Sequence, residues 1–285
     1  MDDRFISRCP VGCDTTLAPT TIRLPEGLLL QCPACGQRVS QASRTRYAES
    51  MREFNSNSGT DPVPGAQARR DQVARRRIEQ LAAFAGRTPL ALDLLDVGCS
   101  TGAFLASAVR MGVPARGVEP APEAAATARA RGLDVRTATR GESGYGAGQF
   151  DAVTLFEVIE HLDDPLALAR EIRNVLRPGG IWLIGTANAH SWTCAAMGGR
   201  WNYLHIDAHG GHVSFFSPAS IRVLAERTGF EVVRIDTRGV RWFERGEVSA
   251  PLYRLSKGVT EALSPLAHLS GRGQDMLAWL RRPAD

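Results

Sequence analysis

The sequence predicts a doubly wound α/β domain with a mostly parallel sheet, preceded by a small N-terminal zinc ribbon. From residue 68 onward, apolar strand-like segments alternate with helical segments, the pattern of a parallel sheet covered by helices on both faces. Two close pairs of cysteines lie within the first forty residues, as in a metal-binding ribbon. We therefore expect a zinc ribbon over residues 1–40, a linker over 41–67 and the α/β domain over 68–285.

The composition is that of an ordinary folded protein. Of the 285 residues 44% are hydrophobic and 22% charged, close to the globular average, which excludes a wholly disordered or fibrous chain. The net charge is only +4, so binding to nucleic acid is allowed without being indicated. The longest apolar runs are far shorter than the roughly 20 residues of a membrane span, and Met1-Asp2-Asp3 lacks the basic start of a secretory signal. We expect a cytoplasmic protein without a membrane span.

The four N-terminal cysteines are arranged as two metal-binding knuckles. Short spacing lets two thiolates of one turn reach the same ion, and a hairpin between the pairs brings four sulfurs around zinc. A reducing cytosol favours metal binding over disulfides. The alternative, a set of small buried cysteines, leaves this short segment without a core. The expected ligands of a structural zinc are Cys9, Cys13, Cys32 and Cys35.

The segment after the ribbon is polar and contains Pro62-Val63-Pro64-Gly65, which indicates a linker. Within it, residues 47–54 can form a short helix that packs on the following domain. A longer helical pattern over 68–85 then leads into the first strand of the α/β domain.

The first strand of the α/β domain, over 91–97, runs into a turn of small residues, Gly98 to Gly102, and then into a helix. Small residues let the backbone approach a nucleoside closely, and the first turn of the helix offers free amides. The next strand ends at Glu119, about 20 residues further on, where this fold places an acid against ribose hydroxyls. A dinucleotide fold is the alternative, but its G-x-G-x-x-G spacing is missing.

Several motifs resemble those of class I methyltransferases that use S-adenosylmethionine. Residues 95–102 and 117–119 resemble the first two motifs of that family, and 156–162 and 177–180 resemble its fourth motif and the turn before strand five. The resemblance, from about residue 70 onward, implies a seven-stranded, Rossmann-like methyltransferase fold with S-adenosylmethionine as cofactor. The residues that it implies for cofactor binding are Asp96, Gly98, Ser100, Gly102, Glu119, Phe156 and Glu157.

Two positions depart from the family pattern. Ser100 stands where the family usually has glycine, although serine is still small. Thr137-Ala138-Thr139 stands where an acid often contacts the adenine amine, so that contact is unassigned, with backbone groups or Glu142 as candidates.

The catalytic side of the site is expected to be rich in histidine. Methyl transfer needs an aligned nucleophile and a group that removes its proton, and imidazole titrates near neutral pH. Residues 192–212, after strand five, combine aromatic residues with several histidines at the edge where the acceptor would lie. The candidate catalytic residues are His161, His209 and His212.

The segment Glu157-Val158-Ile159-Glu160-His161 resembles the metal-binding signature of ubiquinone-biosynthesis O-methyltransferases and small-RNA 2′-O-methyltransferases. By this resemblance Glu157, Glu160, His161 and His212 form a second site, for Mg²⁺ or another divalent ion. Such an ion would lower the pKa of the acceptor hydroxyl. In its absence His161 or His212 is the preferred general base.

The resulting expectation is methylation of an oxygen on a small-molecule acceptor such as a sugar, a quinone or a phenolic natural product. RNA methylation is the first alternative, and a non-catalytic binding module with a cofactor fold is the second. An insertion over 240–273 carries Leu252, Leu255, Val259, Leu263 and Leu266 at helical spacing. It is expected to be a helix packed on its own domain, with a lid, a dimer face or a membrane-surface helix as alternatives.

Overall fold

The structure is a computed structural model, and it describes residues 3–57, 67–138 and 144–284. The strands are β1 Ala18–Leu24, β2 Gly27–Gln31, β3 Arg38–Val39, β4 Leu94–Val97, β5 Ala115–Glu119, β6 Val135–Thr137, β7 Phe150–Phe156, β8 Leu176–Ala187, β9 Ser214–Phe215, β10 Glu231–Arg238 and β11 Asp275–Arg281. The α-helices are α1 Arg44–Asn57, α2 Gln67–Phe84, α3 Ala103–Arg110, α4 Pro122–Ala130, α5 Pro165–Val175, α6 Trp192–Met197, α7 Ile206–His209, α8 Pro218–Thr228 and α9 Ala250–Leu269. Among the described residues, no helix is both long and apolar enough for a membrane span.

The main sheet has seven strands in the order β10-β11-β8-β7-β4-β5-β6. Strand β11 pairs antiparallel with both of its neighbours, and the pairs formed by β4, β5, β6, β7 and β8 are parallel. The predicted seven-stranded, mostly parallel sheet is therefore confirmed. Strand order reverses at β4, which lies between β5 and β7, and this is where doubly wound folds bind ligands, outside the carboxyl ends of the strands.

Apolar side chains on both faces of the sheet are covered by helices. On one face, Trp182 and Phe150 pack with residues of α5 and α8. On the other face, Leu94 and Trp279 pack with residues of α2 and α3, among them Ile78. Strand β7 is buried along nearly its whole length, and its sequence is apolar apart from Asp151 and Thr154, as expected for a central parallel strand.

Two strand boundaries differ from the prediction. A short 3₁₀ turn, Pro89–Ala91, precedes β4, so this strand begins at Leu94 and not at residue 91. Strand β8 begins at Leu176 and not at residue 181, and it includes the Pro-Gly-Gly sequence predicted as a turn. The backbone of Gly179 and Gly180 exchanges hydrogen bonds with Arg282, which keeps this stretch extended.

Helix α1 lies within the segment predicted as a linker, and it contains the short helix expected over residues 47–54 but is longer at both ends. The hydroxyl of Tyr47 donates to the carbonyl of His161 at 2.9 Å, and the Ser50 hydroxyl donates to the carbonyl of Ile206 at 2.8 Å. The rest of the predicted linker up to residue 66, with its Pro-Val-Pro-Gly sequence, lies outside the described residues.

The N-terminal ribbon is built into the α/β domain through a second sheet. Strands β1, β2 and β3 form an antiparallel hairpin array, and β3 continues it by pairing with β9, where Arg38 faces Phe215. The buried Gln37 side chain donates to the Ser214 hydroxyl at 2.9 Å. Val11, which lies between Cys9 and Cys13 in the sequence and is fully buried, belongs to the same apolar cluster as Leu168 and Trp182. The ribbon and the α/β domain therefore share one core.

The insertion forms helix α9, but its apolar face points outward. Its buried residues include Ser256, Thr260 and Ala267, whereas Leu255 is 66% exposed and Leu266 is 55% exposed. Helix α9 packs on strand β10 of its own domain, in agreement with the expectation, but it does so through small side chains and not through the leucine stripe.

We expect Val11→Ala to lower the free energy of unfolding of the whole chain by about 2 kcal/mol, because it leaves a cavity in the shared core. Denaturant unfolding monitored by tryptophan fluorescence measures this effect. Val73→Ala is the matched control, since Val73 is 39% exposed. Separate unfolding of the ribbon, with the main transition unchanged, would contradict a shared core.

Candidate active site

The turn after β4 has a conformation that glycine favours at two positions. Gly98 has φ +71° and Gly102 has φ +80°, both in the left-handed region. A Cβ atom at residue 98 would lie 2.3 Å from Cγ2 of Val158, and one at residue 102 would lie 2.3 Å from Cδ1 of Leu133. Both positions therefore need glycine for its conformation and for its lack of a side chain.

Ser100 adopts the same left-handed region with φ +50°, although a residue with a Cβ atom is disfavoured there. Its backbone N–H donates to Oε2 of Glu119 at 2.8 Å, and this charge-assisted bond holds the turn in place. The serine thus keeps the backbone shape expected of the glycine that it replaces.

Glu119, the last residue of β5, is 7% exposed and faces this turn. Its Oε1 accepts a hydrogen bond from the backbone N–H of Ala121 at 2.9 Å, and its Oε2 accepts the one from Ser100. Burial raises the pKa of Glu119, and the two backbone donors oppose that shift. Each carboxylate oxygen can accept a further hydrogen bond, so the side chain is able to bind a pair of vicinal hydroxyls.

Asp96, on β4 beside Glu119, is 3% exposed. Its Oδ1 accepts a hydrogen bond from the Thr154 hydroxyl at 2.7 Å. Burial raises the pKa of Asp96 to about 7, the Thr154 bond opposes this shift, and the charge of Glu119 adds to it. Ionisation of the Asp96 carboxyl is therefore unfavourable in the folded protein.

Arg77 of α2 lies at the same strand edge, and the sequence analysis did not predict it as a site residue. Its guanidinium lies over the ring of Phe156, 4.5 Å from the ring centroid. Burial lowers the pKa of Arg77, while Asp96 and Glu157 favour its charge. In the sequence Arg77 is one of several arginines in α2, and nothing there distinguishes it from Arg75 and Arg76.

Phe156 and Glu157 end strand β7 at the same edge. The Phe156 ring packs edge-on against Phe104 with centroids 5.0 Å apart. Glu157 has φ +53°, a strained conformation for a residue with a side chain. The residue is exposed as a whole, whereas its carboxyl is desolvated by the surrounding protein. Desolvation, followed by the charge of Glu160, raises the pKa of Glu157 to about 9.

A fully buried carboxylate, Glu160, lies next to Glu157 at the ends of β7 and β8. Its Oε1 accepts a hydrogen bond from the Tyr203 hydroxyl at 2.8 Å, and its Oε2 accepts one from the Thr186 hydroxyl at 3.1 Å. Burial disfavours its charge, but His212 and His161 keep the pKa of Glu160 below its ordinary value. Sequence analysis missed Thr186 and Tyr203 as its partners, because neither belongs to a motif.

The three histidines predicted as catalytic lie together beside this carboxylate. The ring centroids of His161 and His212 are 4.7 Å apart, and those of His209 and His212 are 5.0 Å apart. His212 is 3% exposed, whereas His209 is exposed. Burial lowers the pKa of His212 to about 4 and also lowers the pKa of His161 and of His209.

The tautomer of His212 follows from its hydrogen bond. Its Nδ1 lies 2.9 Å from the carbonyl oxygen of Tyr203, which only accepts, so Nδ1 carries the hydrogen. The Nε2 lone pair of the neutral ring then faces Oε1 of Glu160 at 3.8 Å. Two acceptors that face each other at this distance are stable with a cation or a proton between them.

Ligand atoms of Glu160, His161 and His212 all lie within 4.8 Å of one another and could hold a metal ion. Glu157, the fourth residue predicted for that site, is not in this group, although its carboxyl interacts with that of Glu160. The donors are one carboxylate and two imidazoles, a set that suits a divalent transition metal as well as Mg²⁺.

The four N-terminal cysteines also form a group that could hold a metal. Their sulfurs lie within 4.8 Å of one another, and Cys9 and Cys35 are 3.6 Å apart. Tetrahedral zinc with bonds of about 2.3 Å separates its sulfurs by about 3.8 Å, so the group fits zinc. All of them are free cysteines. Gly12 and Gly36 have φ of +82° and +73°, which lets each knuckle turn back on itself.

A sequence model of the methyltransferase domain family matches residues 66–235, which is more than half of the chain. The chain belongs to this methyltransferase family. The class I methyltransferase resemblance is thereby confirmed for the domain that carries the glycine turn, Glu119 and the Glu160 cluster.

Known methyltransferases resemble this one in sequence over part of its length. It is 31% identical over 159 residues to a ubiquinone biosynthesis O-methyltransferase of Cereibacter sphaeroides, over 52% of this chain and 63% of that protein. It is 36% identical over 107 residues to a protein of the same name from Xanthomonas axonopodis pv. citri, over 35% of this chain and 45% of that protein. The methyltransferase thus spans less than two thirds of the length of these relatives.

Solved structures share the fold of this methyltransferase. A SAM-dependent methyltransferase from Archaeoglobus fulgidus has a TM-score of 0.52 at 19% identity, over 74% of this chain and 94% of that chain. Magnesium protoporphyrin IX methyltransferase of Synechocystis PCC 6803, with bound SAM, has a TM-score of 0.50 at 12% identity, over 83% of this chain and 96% of that chain. At these identities the likeness shows the fold alone.

We expect Asp96→Asn to stabilise the methyltransferase by an amount that grows with pH. The pKa of Asp96 rises from 3.8 in the unfolded chain to about 7 in the folded protein. The folded state therefore holds a proton that the unfolded chain releases, and its stability falls as pH rises through this window. Denaturant unfolding from pH 4 to pH 8 measures the gain, which we expect to level off above about pH 7 at a few kcal/mol.

Asp163→Asn, the same change at an exposed aspartate, is the control and should give a small difference that does not depend on pH. An equally flat difference for Asp96→Asn would show that burial of Asp96 carries no electrostatic cost.

Proposed function

We propose that this methyltransferase transfers a methyl group from S-adenosylmethionine to an oxygen atom of a small-molecule acceptor. The lone pair of His212 that faces the buried carboxylate of Glu160 at 3.8 Å carries the proposal, because it supplies a place for a cation or a proton beside the acceptor. The names of the curated relatives, ubiquinone biosynthesis O-methyltransferases, support oxygen as the atom that is methylated.

The cofactor would lie along the turn after β4. Glu119 would accept hydrogen bonds from its ribose hydroxyls, and the left-handed turn from Gly98 to Gly102 would leave room for its backbone to approach. Arg77 would bind its amino-acid carboxylate, since the guanidinium lies at the same strand edge, over Phe156. When bound, the sulfonium supplies an electrophilic methyl group.

The acceptor side is built by residues that follow β7 and β8. Glu160, His161 and His212, with Glu157 beside them, would hold Mg²⁺ or another divalent ion, which lowers the pKa of a bound hydroxyl. Thr186 and Tyr203 fix the Glu160 carboxylate in position for this role. Without an ion, neutral His212 or His161 accepts the proton of the acceptor, and the low pKa of His212 keeps it neutral above about pH 5.

Aromatic surfaces favour a flat or cyclic acceptor. Tyr203 stacks on the buried ring of Trp201 with centroids 5.2 Å apart, and the exposed ring of His209 lies 6.1 Å from the Tyr203 ring. Flat apolar walls of this kind bind sugars, quinones and phenols through contact area, so we infer that the acceptor belongs to one of these classes.

Structural zinc in the four-cysteine group would stabilise the acceptor site through backbone hydrogen bonds that connect the two. The backbone N–H of Ser40 donates to the carbonyl of Val213 at 2.9 Å, and the N–H of Val213 donates to the carbonyl of Glu160 at 3.0 Å. Val213 directly follows His212, so the ribbon lies two hydrogen bonds away from the reacting groups. Metal binding and ribbon folding are coupled, and zinc would thereby stabilise this arrangement.

Replacing Glu119 with glutamine tests the cofactor site. We expect Glu119→Gln to weaken S-adenosylmethionine binding by about 10- to 100-fold, because a charged acceptor of ribose hydrogen bonds is lost. Isothermal titration calorimetry gives the affinity, with Glu123→Gln, an exposed change on α4, as the control. Unchanged affinity in Glu119→Gln, or no binding by the native protein, would contradict the assignment of Glu119 to the cofactor site.

Manganese binding tests the acceptor side. We expect one Mn²⁺ to bind in addition to the zinc, with an affinity that falls at least about tenfold in Glu160→Gln and in His212→Gln. The rate of methyl transfer should fall by about 10²- to 10⁴-fold in the same variants. His205→Gln is the control, since His205 lies in the same segment and binds the carbonyl of Gly199.

The two versions of the acceptor site differ in their response to chelation. Loss of activity on mild chelation, with the zinc retained by elemental analysis, and its return with Mg²⁺ or Mn²⁺ support the ion. Activity that resists chelation and falls only in His161→Gln or His212→Gln assigns the proton transfer to histidine alone.

A further inference from the structure

A cavity of about 740 Å³ lies where the ribbon meets the α/β domain, between strand β1 and the segment that follows β8. Four arginines line it, and no carboxylate does: Arg23 and Arg38 come from the ribbon, and Arg200 and Arg272 come from the α/β domain. We refer to it as the arginine cavity. A pocket with this lining has a positive potential that favours anions.

Two of these guanidiniums are held side by side by the backbone. Nη1 of Arg38 donates to the carbonyl of Ala189 at 2.6 Å, and Nη1 of Arg272 donates to the carbonyl of His190, the next residue, at 2.9 Å. Nε of Arg38 also donates to the side chain of Gln31 at 2.8 Å. Both positive charges are therefore anchored on the carbonyls of two consecutive residues of the cavity lining.

The charges in the arginine cavity are largely uncompensated. Across residues 3–57, 67–138 and 144–284, no carboxylate lies within ion-pair distance of Arg23, Arg38 or Arg272, and Arg200 alone pairs, with Glu247. A guanidinium has several N–H donors in one plane, and Arg272 uses one nitrogen for His190, so other donors remain available to a ligand. A bound anion would relieve the repulsion between the neighbouring guanidiniums and use these donors.

We propose that the arginine cavity binds the phosphate group of a phosphorylated small molecule, between Arg272 of the domain and Arg23 and Arg38 of the ribbon. Guanidinium forks match phosphate oxygens in pairs, which lysines do not. The volume lies within the range of small-molecule sites, about 300–1,000 Å³. The lining residues include no Phe, Tyr or Trp side chain on which a nucleic acid base would stack, and His190 is the one imidazole among them, so a small molecule fits better than a single strand.

The arginine cavity is separate from the proposed methyl-transfer site. Ala189 and Cys194, which line it, belong to a buried apolar cluster that also contains Trp201 and Phe215. Tyr203, which binds Glu160, packs against that same cluster. The proposal therefore does not depend on the proposed function, and a phosphate bound across the cavity would tie the ribbon to the domain.

Titration of the full-length, zinc-loaded protein with inorganic pyrophosphate and with inorganic phosphate tests the proposal. At constant ionic strength we expect calorimetric binding of pyrophosphate to one site, weakened by about tenfold or more in Arg272→Gln and in Arg23→Gln. Arg23 is exposed and has no partner among the described residues, so its replacement leaves folding intact. Arg254→Gln, an exposed change of the same charge on α9, should retain the native affinity.

Three outcomes overturn the proposal. The first is no binding of either anion to the native protein. The second is an equal loss of affinity in Arg254→Gln, which would mean that net charge alone attracts the anion. The third is binding of a single-stranded oligonucleotide that depends on Arg23 and Arg272 while pyrophosphate does not compete, which would assign the cavity to nucleic acid. Affinity for S-adenosylmethionine, measured in the same variants, should stay unchanged.

Discussion

The buried carboxylate of Glu160 is the group on which the rest of the site depends. A carboxylate without solvent exposure is stable only if it is paired and hydrogen-bonded, and here the partners come from two different parts of the chain. Thr186 comes from the end of β8, while Tyr203 and His212 come from the segment that crosses the carboxyl edge of the sheet. That segment has little regular structure of its own, with short turns and the four-residue helix α7. Its position is fixed from outside, by α1 and by strand β3.

The cofactor edge is governed by a different constraint, the shape of the backbone. Two residues with side chains, Ser100 and Glu157, adopt left-handed φ angles at the ends of neighbouring parallel strands. Such conformations persist only where the surrounding structure compensates for them. At Ser100 the compensation is the hydrogen bond to Glu119. The carboxylate that would bind ribose therefore also holds the turn that lies beneath it, so cofactor recognition and local backbone stability depend on one side chain.

Sequence patterns predicted the main sheet because its strands are apolar and its loops carry family motifs. They predicted Asp96, Glu119 and Glu160 for the same reason, since Asp96 and Glu119 lie near strand ends and Glu160 lies in the short turn that follows β7. They could not predict the joining of the ribbon to β9, because each of these strands has two residues and no periodicity can be read from two positions. The outward apolar face of α9 was missed because spacing shows that a helix has two faces and does not show which one is buried.

Partners that act through tertiary contacts were also beyond sequence reasoning. Arg77 lies in a helix rich in arginine, and only the fold brings it to Phe156. Thr186 and Tyr203 are ordinary residues until the ends of β8 and the following segment meet at Glu160. Composition indicates a boundary between the ribbon and the α/β domain. In the structure the two share one core, because Val11 and the cysteines of both knuckles pack with the apolar residues on one face of the main sheet.

The protonation state of His212 connects the ribbon to the chemistry. Burial is the main cause of the low pKa of this imidazole, and part of that burial comes from elements that precede the α/β domain. Tyr47 and Met51 of α1 pack against Gly211, and Ser40, just after β3, binds the backbone of Val213. If the ribbon opened, water would reach His212, its pKa would rise toward the ordinary value for histidine, and a protonated ring would neither bind a metal ion nor accept a proton. The ribbon and helix α1 together therefore help to bury one imidazole without supplying a side chain to the cluster of Glu160, His161 and His212.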